Sequence, residues 1–315
     1  MRDVYFVLSQ HFMLLDLAGP AEVLQIAIEH GAPLRLHMVA AEAELVSSVG
    51  LRQHQLEALP ETIPDQALVL LIGVQNSKTN LQLPAARAIV RWLQNSFDPA
   101  RHQLACICSG ALLAADAGLL AGRRCTTHHE LIARLQSAAP NADVLENRLF
   151  VEDGPIATSA GICAGIDLAL HLVARDFGAE LTQVIAREMV IWLRRSGNDP
   201  QLSAWLVHRN HLHPTVHKAQ DLLSQPQSRR WTLAELAAQV HVTPRTLSRL
   251  FVQYAGLSPH DYQQSLKLAL AQQLLANPNL SIETVANEAG FGSARDFRRV
   301  WQARFGQLPS EGRKA

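Results

Sequence analysis

The chain has 315 residues, 48% of them hydrophobic, which exceeds the usual single-domain size and can fill more than one core, so two domains are expected. Its 28 Lys+Arg balance 28 Asp+Glu, but unevenly: residues 211–315 hold 12 basic against 7 acidic side chains and the preceding residues 16 against 21. An acidic body thus carries a basic tail, which suits a polyanion partner for the tail if its motifs agree.

The N-terminus, MRDVYFVLSQHFMLLDLAGP, has a five-residue apolar run before Ser9, too short for a secretion signal, and no stretch reaches the roughly 18 consecutive apolar residues of a membrane span. A soluble cytoplasmic protein with no membrane partner is expected. Short β-rich runs follow one another as VYFVL (4–8), RLHMVA (35–40), ALVLLIGV (67–74), LACIC (104–108) and PIATSA (155–160). Segments with apolar residues at helical spacing lie between and after them: AEVLQIAIEH, AARAIVRWLQ, ALLAADAGLL, HELIARLQSA and GIDLALHLVARDFG. Each is long enough for a crossover, so a parallel α/β sheet covered on both faces is expected.

Cys108 stands immediately after one of these strands and at the start of a helix, on a sharp elbow where helix-terminal amides favour thiolate over thiol. A nucleophile there needs a base, a group to orient that base, and amides for a developing oxyanion. The candidates are His128 in TTHHE, Asp16 in LDLAGP, and the N–H groups of Ser109 and of Gly73 or Val74 in LIGVQ. Asp16 also reads as a helix cap or loop-orienting residue beside a Gly19-Pro20 turn. Ser159 and Gly161 fall where a later strand ends, either lining a pocket or forming a plain strand-to-helix turn. Cys106, Cys108, Cys125 and Cys163 lack paired zinc-ligand spacing and read as free thiols. Trp92, Trp192 and Trp205 read as core or interface residues in preference to a cation cage.

RRSGNDP (194–200) and HRNHLHP (208–214) are breaker clusters separated by a short helical segment, and the domain boundary is set between them. The expected organisation is an α/β domain over 1–195, a linker over 196–213 and a second domain over 214–315. His211, His213 and His217 have no carboxylate or cysteine partner in their stretch and read as solvated, so no metal and no cofactor are assigned. Beyond Pro214 every apolar pattern is helical, and LAELAAQVHVTPRTLSRLFVQYAGLSP aligns with IETVANEAGFGSARDFRRVWQARFGQLP. Leu236 and Val242 match Val285 and Phe291 at an offset of 49, whereas Leu250, Phe251, Gly256 and Pro259 match Val300, Trp301, Gly306 and Pro309 at 50. One unit is therefore repeated with a single insertion. In each copy a short helix, a turn and a second helix follow, with Pro244 and Ser293 at the second helix's start. Leu247, Leu250 and Phe251, and in the other copy Phe297, Val300 and Trp301, share a core face. Arg245, Ser248 and Arg249, with Arg295, Asp296 and Arg299, share the opposite face, where arginines can reach guanine edges in a major groove.

The tail motifs LAxxVxVTPRTLSRLF…GLSPHDY and VANEAGFGSARDFRRVW…FGQLP resemble the AraC-type regulator domain over residues 214–315. That resemblance implies two helix-turn-helix units joined by a long helix, HDYQQSLKLALAQQLL, reading successive major-groove turns of double-stranded operator DNA. Arg249 and Arg299 fall on the family's recurring arginine positions, and Arg245, Ser248, Arg295 and Asp296 on its usual base-contact positions. DLAGPAEVL, CICSGALLAADAGLLAGRRCTTHHEL and TSAGICAGIDLALHLV resemble the class I glutamine amidotransferase-like superfamily, in its intracellular-protease and isonitrile-hydratase branch, over about residues 3–195. By that resemblance the fold is a flavodoxin-like parallel sheet ahead of an all-α tail, with Cys108 the elbow, His128 its partner histidine and Asp16 the acidic neighbour. Cys106 replaces a usual glycine, Val74 replaces the second glycine of an oxyanion turn, and His129 replaces an aromatic residue.

The fused architecture resembles regulators whose front domain binds a small nitrogenous metabolite and dimerises. The implied function is a homodimeric transcription regulator, an activator with RNA polymerase as a partner, in which Cys108, His128, Asp16, Gly73 and Ser109 form a vestigial site or effector pocket without catalysis. A cysteine-dependent hydratase or glyoxalase-like enzyme, or a thiol redox sensor, fused to the same tail is the alternative.

Overall fold

The structure, a computed structural model, describes residues 1–191, 195–198, 201, 208–209, 211–224, 231–275, 277 and 279–311. Trp192, Trp205 and the helical segment expected over 202–207 lie outside the described residues. The chain forms two compact units, Met1–Gln201 and Leu202–Ala315.

The first unit runs β1 (Arg2–Leu8), α1 (Leu14–Glu29), β2 (Leu34–Ala40), the short strands β3 (Leu45–Val46), β4 (Arg52–Gln53) and β5 (Glu57–Ala58), then β6 (Leu68–Leu71) and α2 (Pro84–Ser96). It continues with β7 (Gln103–Ile107), α3 (Gly110–Asp116), β8 (Arg124–Cys125), α4 (Ile132–Ala138), β9 (Asp143–Val144), β10 (Phe150–Asp153), β11 (Ile156–Ser159), α5 (Cys163–Phe177) and α6 (Ala179–Glu188). The main sheet has the order β10-β11-β7-β6-β1-β2-β5. Its core order, β2-β1-β6-β7-β11, is the flavodoxin-like doubly wound arrangement.

Side chains alternate across the strands and so feed two cores. Val4, Phe6, Leu68, Leu70 and Ile107 pack with α1 and α5, while Tyr5, Val7, Val69, Leu71 and Cys106 pack with α2, α3 and α4. Burial on both faces is why β6 reads as the unbroken apolar run LVLL.

The five expected strands pair parallel, and an edge strand that the sequence did not mark, β10, adds antiparallel to β11 through a hairpin whose turn holds Gly154 at φ 61°. One sequence expectation needs correction. The Gly19-Pro20 turn is absent, since both residues lie inside α1, and Asp16 sits in that helix's first turn and not at its cap. Tertiary packing overrides the local signal here: a Cβ on Gly19 would lie 2.6 Å from Ile166 Cγ1, so α1 and α5 meet closely only without it.

The second unit comprises α7 (Pro214–Ser224), α8 (Leu233–Gln239), α9 (Pro244–Ala255), α10 (Pro259–Leu275), α11 (Ile282–Glu288) and α12 (Ala294–Phe305). α8–α9 and α11–α12 are the two repeats, each with its own core: Leu236, Leu247, Phe251 and Tyr262 in the first, Val285, Phe291, Phe297 and Trp301 in the second. The repeats start and stop alike. Thr243 and Ser293 cap the second helices by accepting the amides of Thr246 and Asp296, and Gly256 and Gly306 end them in the left-handed region at φ 78° and 73°. In the turns His241 (φ 58°) corresponds to Gly290 (φ 81°), which places the inserted residue at Gly292.

Gly110 opens α3 against the backbone of β6, where an added Cβ would stand 2.2 Å from the Leu71 carbonyl oxygen. Gly110→Ala is expected to destabilise the first unit by about 1–3 kcal/mol or more, read from urea denaturation of the full chain.

Candidate functional site

β7 ends at Ile107, and the chain turns through Cys108 with φ 53°, a left-handed conformation uncommon for a non-glycine residue. The strain is held by fixed bonds. The Cys108 amide donates to the Ser159 carbonyl at 3.1 Å, and the Thr127 hydroxyl donates to the Cys108 carbonyl at 2.8 Å. Two glycines close around the side chain: a Cβ on Gly73 would lie 2.8 Å from Cys108 Cβ, and one on Gly161 2.2 Å from it and 3.0 Å from Sγ. Gly161 itself has φ +81°, so it is a glycine for two reasons.

Asp16 reaches the same point from α1. Its Oδ1 accepts the Ile162 amide at 2.5 Å, its Oδ2 has no hydrogen-bond partner in the structure, and a Cβ on Gly73 would lie 2.5 Å from Oδ2. Burial raises the carboxyl to a pKa of about 6, with the Ile162 amide pulling the other way. Cys108 is 2% exposed. Its thiol is pushed far up by burial first and by the Asp16 carboxylate next; the Ser109 amide lowers it in part and Glu130 raises it. The helix-terminal amide bonus that favours thiolate is therefore outweighed by desolvation and a neighbouring negative charge.

One of the candidate oxyanion donors is committed. The Val74 amide donates to the Ser109 hydroxyl at 2.8 Å, and that hydroxyl donates back to the Val74 carbonyl at 3.2 Å. His128 is half-buried, accepts the Glu130 amide at Nδ1 (3.4 Å) and lies tilted by 33° against the ring of the exposed His129, with centroids 4.3 Å apart. Burial and His129 lower its pKa while Glu130 raises it, so a neutral imidazole is favoured.

The structure thus brings Asp16, Gly73, Cys108 and Ser109 together, and joins His128 to them through its neighbour Thr127. Sequence reasoning missed Thr127 and Gln201. Gln201 Nε2 donates to the carbonyls of Thr127 (2.7 Å) and Arg148 (3.0 Å), clamping the end of the unit beside the elbow. Neither residue belongs to a pattern that marks it. Arg195 is likewise held, through Nη2 to Asp167 Oδ2 at 2.6 Å.

In the second unit Arg245, Arg249, Arg295 and Arg299 are exposed on α9 and α12, on the faces away from the cores. Arg299 donates to Asp296 Oδ1 at 2.8 Å, which orients one guanidinium with the other residue of the same face. Ser248 is half-buried and lines a small cleft with Trp231 and Ser258. The linker histidines are not solvated as expected: the His211 and His217 rings meet at a tilt with centroids 4.6 Å apart, His213 lies tilted against Tyr254 at 4.5 Å, and Arg209 bridges to His217 Nδ1 at 3.3 Å. Among the described residues no group of three or more His, Cys, Asp or Glu is placed to hold a metal ion. Nor, among them, is any helix long and apolar enough to cross a membrane.

Residues 2–175 match the DJ-1/PfpI family and residues 236–315 a helix-turn-helix domain. Over 99% of its length the chain is 31% identical to the HTH-type transcriptional regulator CdhR of Pseudomonas aeruginosa, covering 91% of that protein. The chain belongs to the AraC-type transcriptional regulators that carry a DJ-1/PfpI domain. The regulator GbdR of the same organism is 32% identical over 99% of the chain and 84% of its own length. In fold, 60% of the chain superposes on all of a crystal structure of an AraC family transcriptional regulator from Pseudomonas putida, with a TM-score of 0.53 at 22% identity. As a member of these regulators the chain binds DNA through its tail, and its front domain is the ligand-sensing type.

Within this regulator the raised carboxyl at Asp16 has a defined pH signature. An acid whose folded pKa lies above its unfolded value binds extra protons when folded, so stability is greatest below about pH 4 and declines as pH rises through about 6. Asp16→Asn keeps an acceptor for the Ile162 amide without the charge. It is expected to stabilise the first unit by on the order of 2 kcal/mol at pH 7.5 and by little at pH 4, read from paired urea titrations.

Proposed function

We propose that the protein is a cytoplasmic, homodimeric activator that binds double-stranded operator DNA through both helix-turn-helix units, in response to a small nitrogenous metabolite held by the α/β domain. Arg245, Ser248 and Arg249 on α9 and Arg295, Asp296 and Arg299 on α12 contact the operator, and RNA polymerase is the downstream partner. The observation that carries this reading is the matched pair of capped second helices, each presenting exposed arginines on the face opposite a Phe-anchored core. The basic excess of the tail supplies the phosphate attraction that any such site needs.

The α/β domain is non-catalytic in this reading. A hydratase, a glyoxalase-like enzyme or a redox sensor needs Cys108 as thiolate, and burial beside Asp16 opposes that. Cys108, His128, Asp16, Gly73 and Ser109 then serve as a retained elbow that shapes the effector region.

Arg249→Ala and Arg299→Ala are each expected to weaken operator binding about tenfold or more at constant salt, with a smaller effect on non-specific DNA. Fluorescence anisotropy with operator and scrambled duplexes reads this directly, and unchanged operator affinity in both variants would remove the recognition-helix assignment.

A further inference from the structure

The two repeats of the second unit differ in charge where their cores agree. With Leu247, Phe251 and Gly256 set on Phe297, Trp301 and Gly306, Arg245 and Arg249 fall on Arg295 and Arg299, whereas Thr246 falls on Asp296 and Ser248 on Arg298. On the first helices, aligned through Leu236 and Val285, Ala234 falls on Glu283. At these five positions the second repeat has one arginine more than the first, and two acids where the first has none.

The acids are matched to arginines one to one. Arg298 Nη2 donates to Glu283 Oε1 at 2.9 Å, joining α12 to the first turn of α11, and Arg299 Nη2 donates to Asp296 Oδ1 at 2.8 Å within α12. A hydrogen bond from its own amide and then Arg298 hold the Glu283 carboxyl below its ordinary range, so it keeps its charge. On α9 Arg245 and Arg249 are exposed, and among the described residues neither meets a carboxylate.

Exposed ion pairs of this kind add little to stability. Their effect on a polyanion is larger. An unpaired arginine that meets a phosphate releases counterions and adds about 0.9 to the slope of log affinity against log salt. An arginine that already holds a carboxylate forms a couple without net charge, which the phosphate backbone does not attract. A G·C edge in the major groove offers acceptors on guanine and a donor on cytosine, so a guanidinium and a carboxylate side by side on a recognition helix can both be satisfied there. Glu283 lies on the first helix, the one that crosses the DNA backbone in helix-turn-helix docking, where an acid opposes any contact that is not otherwise compensated.

We infer that Glu283 and Asp296 are specificity-determining residues: by pairing with Arg298 and Arg299 they cancel the second repeat's attraction to phosphate, so that α12 engages only where a base edge matches it. The unpaired arginines of α9 supply the general attraction. This rests on the reading of α9 and α12 as the DNA-contacting helices.

The test is fluorescence anisotropy of the full chain over a salt series with two duplexes, one selected by the wild-type protein from a random-sequence pool and the other its scramble. Glu283→Gln and Asp296→Asn are each expected to raise affinity for the scramble at least about threefold and to steepen its salt slope by about 0.9, as one arginine is released to a phosphate. They should do less for the selected duplex, so that the preference for it narrows. Glu288→Gln removes an equal charge from the exposed end of α11 without parting either pair, and is expected to leave the scramble's slope at the wild-type value. The inference is overturned if the two pair-breaking variants leave the scramble's affinity and slope unchanged, if they alter both duplexes by one factor, or if Glu288→Gln reproduces their effect. The underlying reading of the helices has its own control in the same assay: it fails if Arg249→Ala binds the selected duplex as tightly as the wild type does, whatever the acid variants show.

Discussion

The backbone at Cys108 is the constraint from which the rest of the first unit follows. A side-chain-bearing residue is held at φ 53°, so the two chain segments that approach it, at Gly73 and Gly161, can carry no Cβ. Those glycines fix where β6 and β11 end relative to β7. They also bring the Asp16 carboxylate, from a helix far away in sequence, against the thiol. The geometry is that of a nucleophile elbow, yet its electrostatics run the other way: a buried sulfur beside a buried acid is stable as thiol, and the acid itself is drawn toward neutrality. The same strained turn positions Ser109 and Thr127, whose hydroxyls bond to Val74 and to the Cys108 carbonyl.

Thr127 and Ser109 give that turn its reach. Ser109 ties the elbow to the Val74 strand end, and Thr127 ties it to Gln201, the last described residue of the first unit. In the second unit the organising constraint is duplication. Each copy needs its own phenylalanine-anchored core, its own cap and its own left-handed glycine stop, so the arginine faces are set by the same geometry twice. The single insertion sits at Gly292, after the matched left-handed residues His241 and Gly290, so the first helices end alike and the extra residue falls at the approach to the second helix, whose caps Thr243 and Ser293 differ in φ (−76° and −166°).

Much of this was legible in the sequence because it rests on periodicity. Buried strands appear as continuous apolar runs, and the repeat is visible since Phe251 and Trp301 recur with their glycines and prolines. Family membership was legible by another route, the resemblance of motifs such as VTPRTLSRLF and CICSGALL to known families. What escaped depended on tertiary contacts that leave no local mark. Gly19-Pro20 reads as a turn, but packing of Ile166 against a bare backbone makes it helix; β10 reads as nothing in particular, because four residues at a sheet edge carry no period. The histidines before and within α7 read as polar linker, yet their rings pack at a tilt against each other and against Tyr254. At the elbow, the sequence announces the helix terminus that would lower a thiol's pKa. It does not announce the depth of burial or the distant Asp16 that together reverse the sign.

The most direct measurement is the pH dependence of alkylation at Cys108 in the full chain, resolved by mass spectrometry from Cys106, Cys125 and the exposed Cys163, with His128→Ala alongside. A thiol buried beside Asp16 predicts slow modification, an apparent pKa above the free-thiol value of about 8.5, and no dependence on His128. An apparent pKa well below that value, returning toward it in His128→Ala, would mean a live thiolate–imidazole pair and would contradict the account.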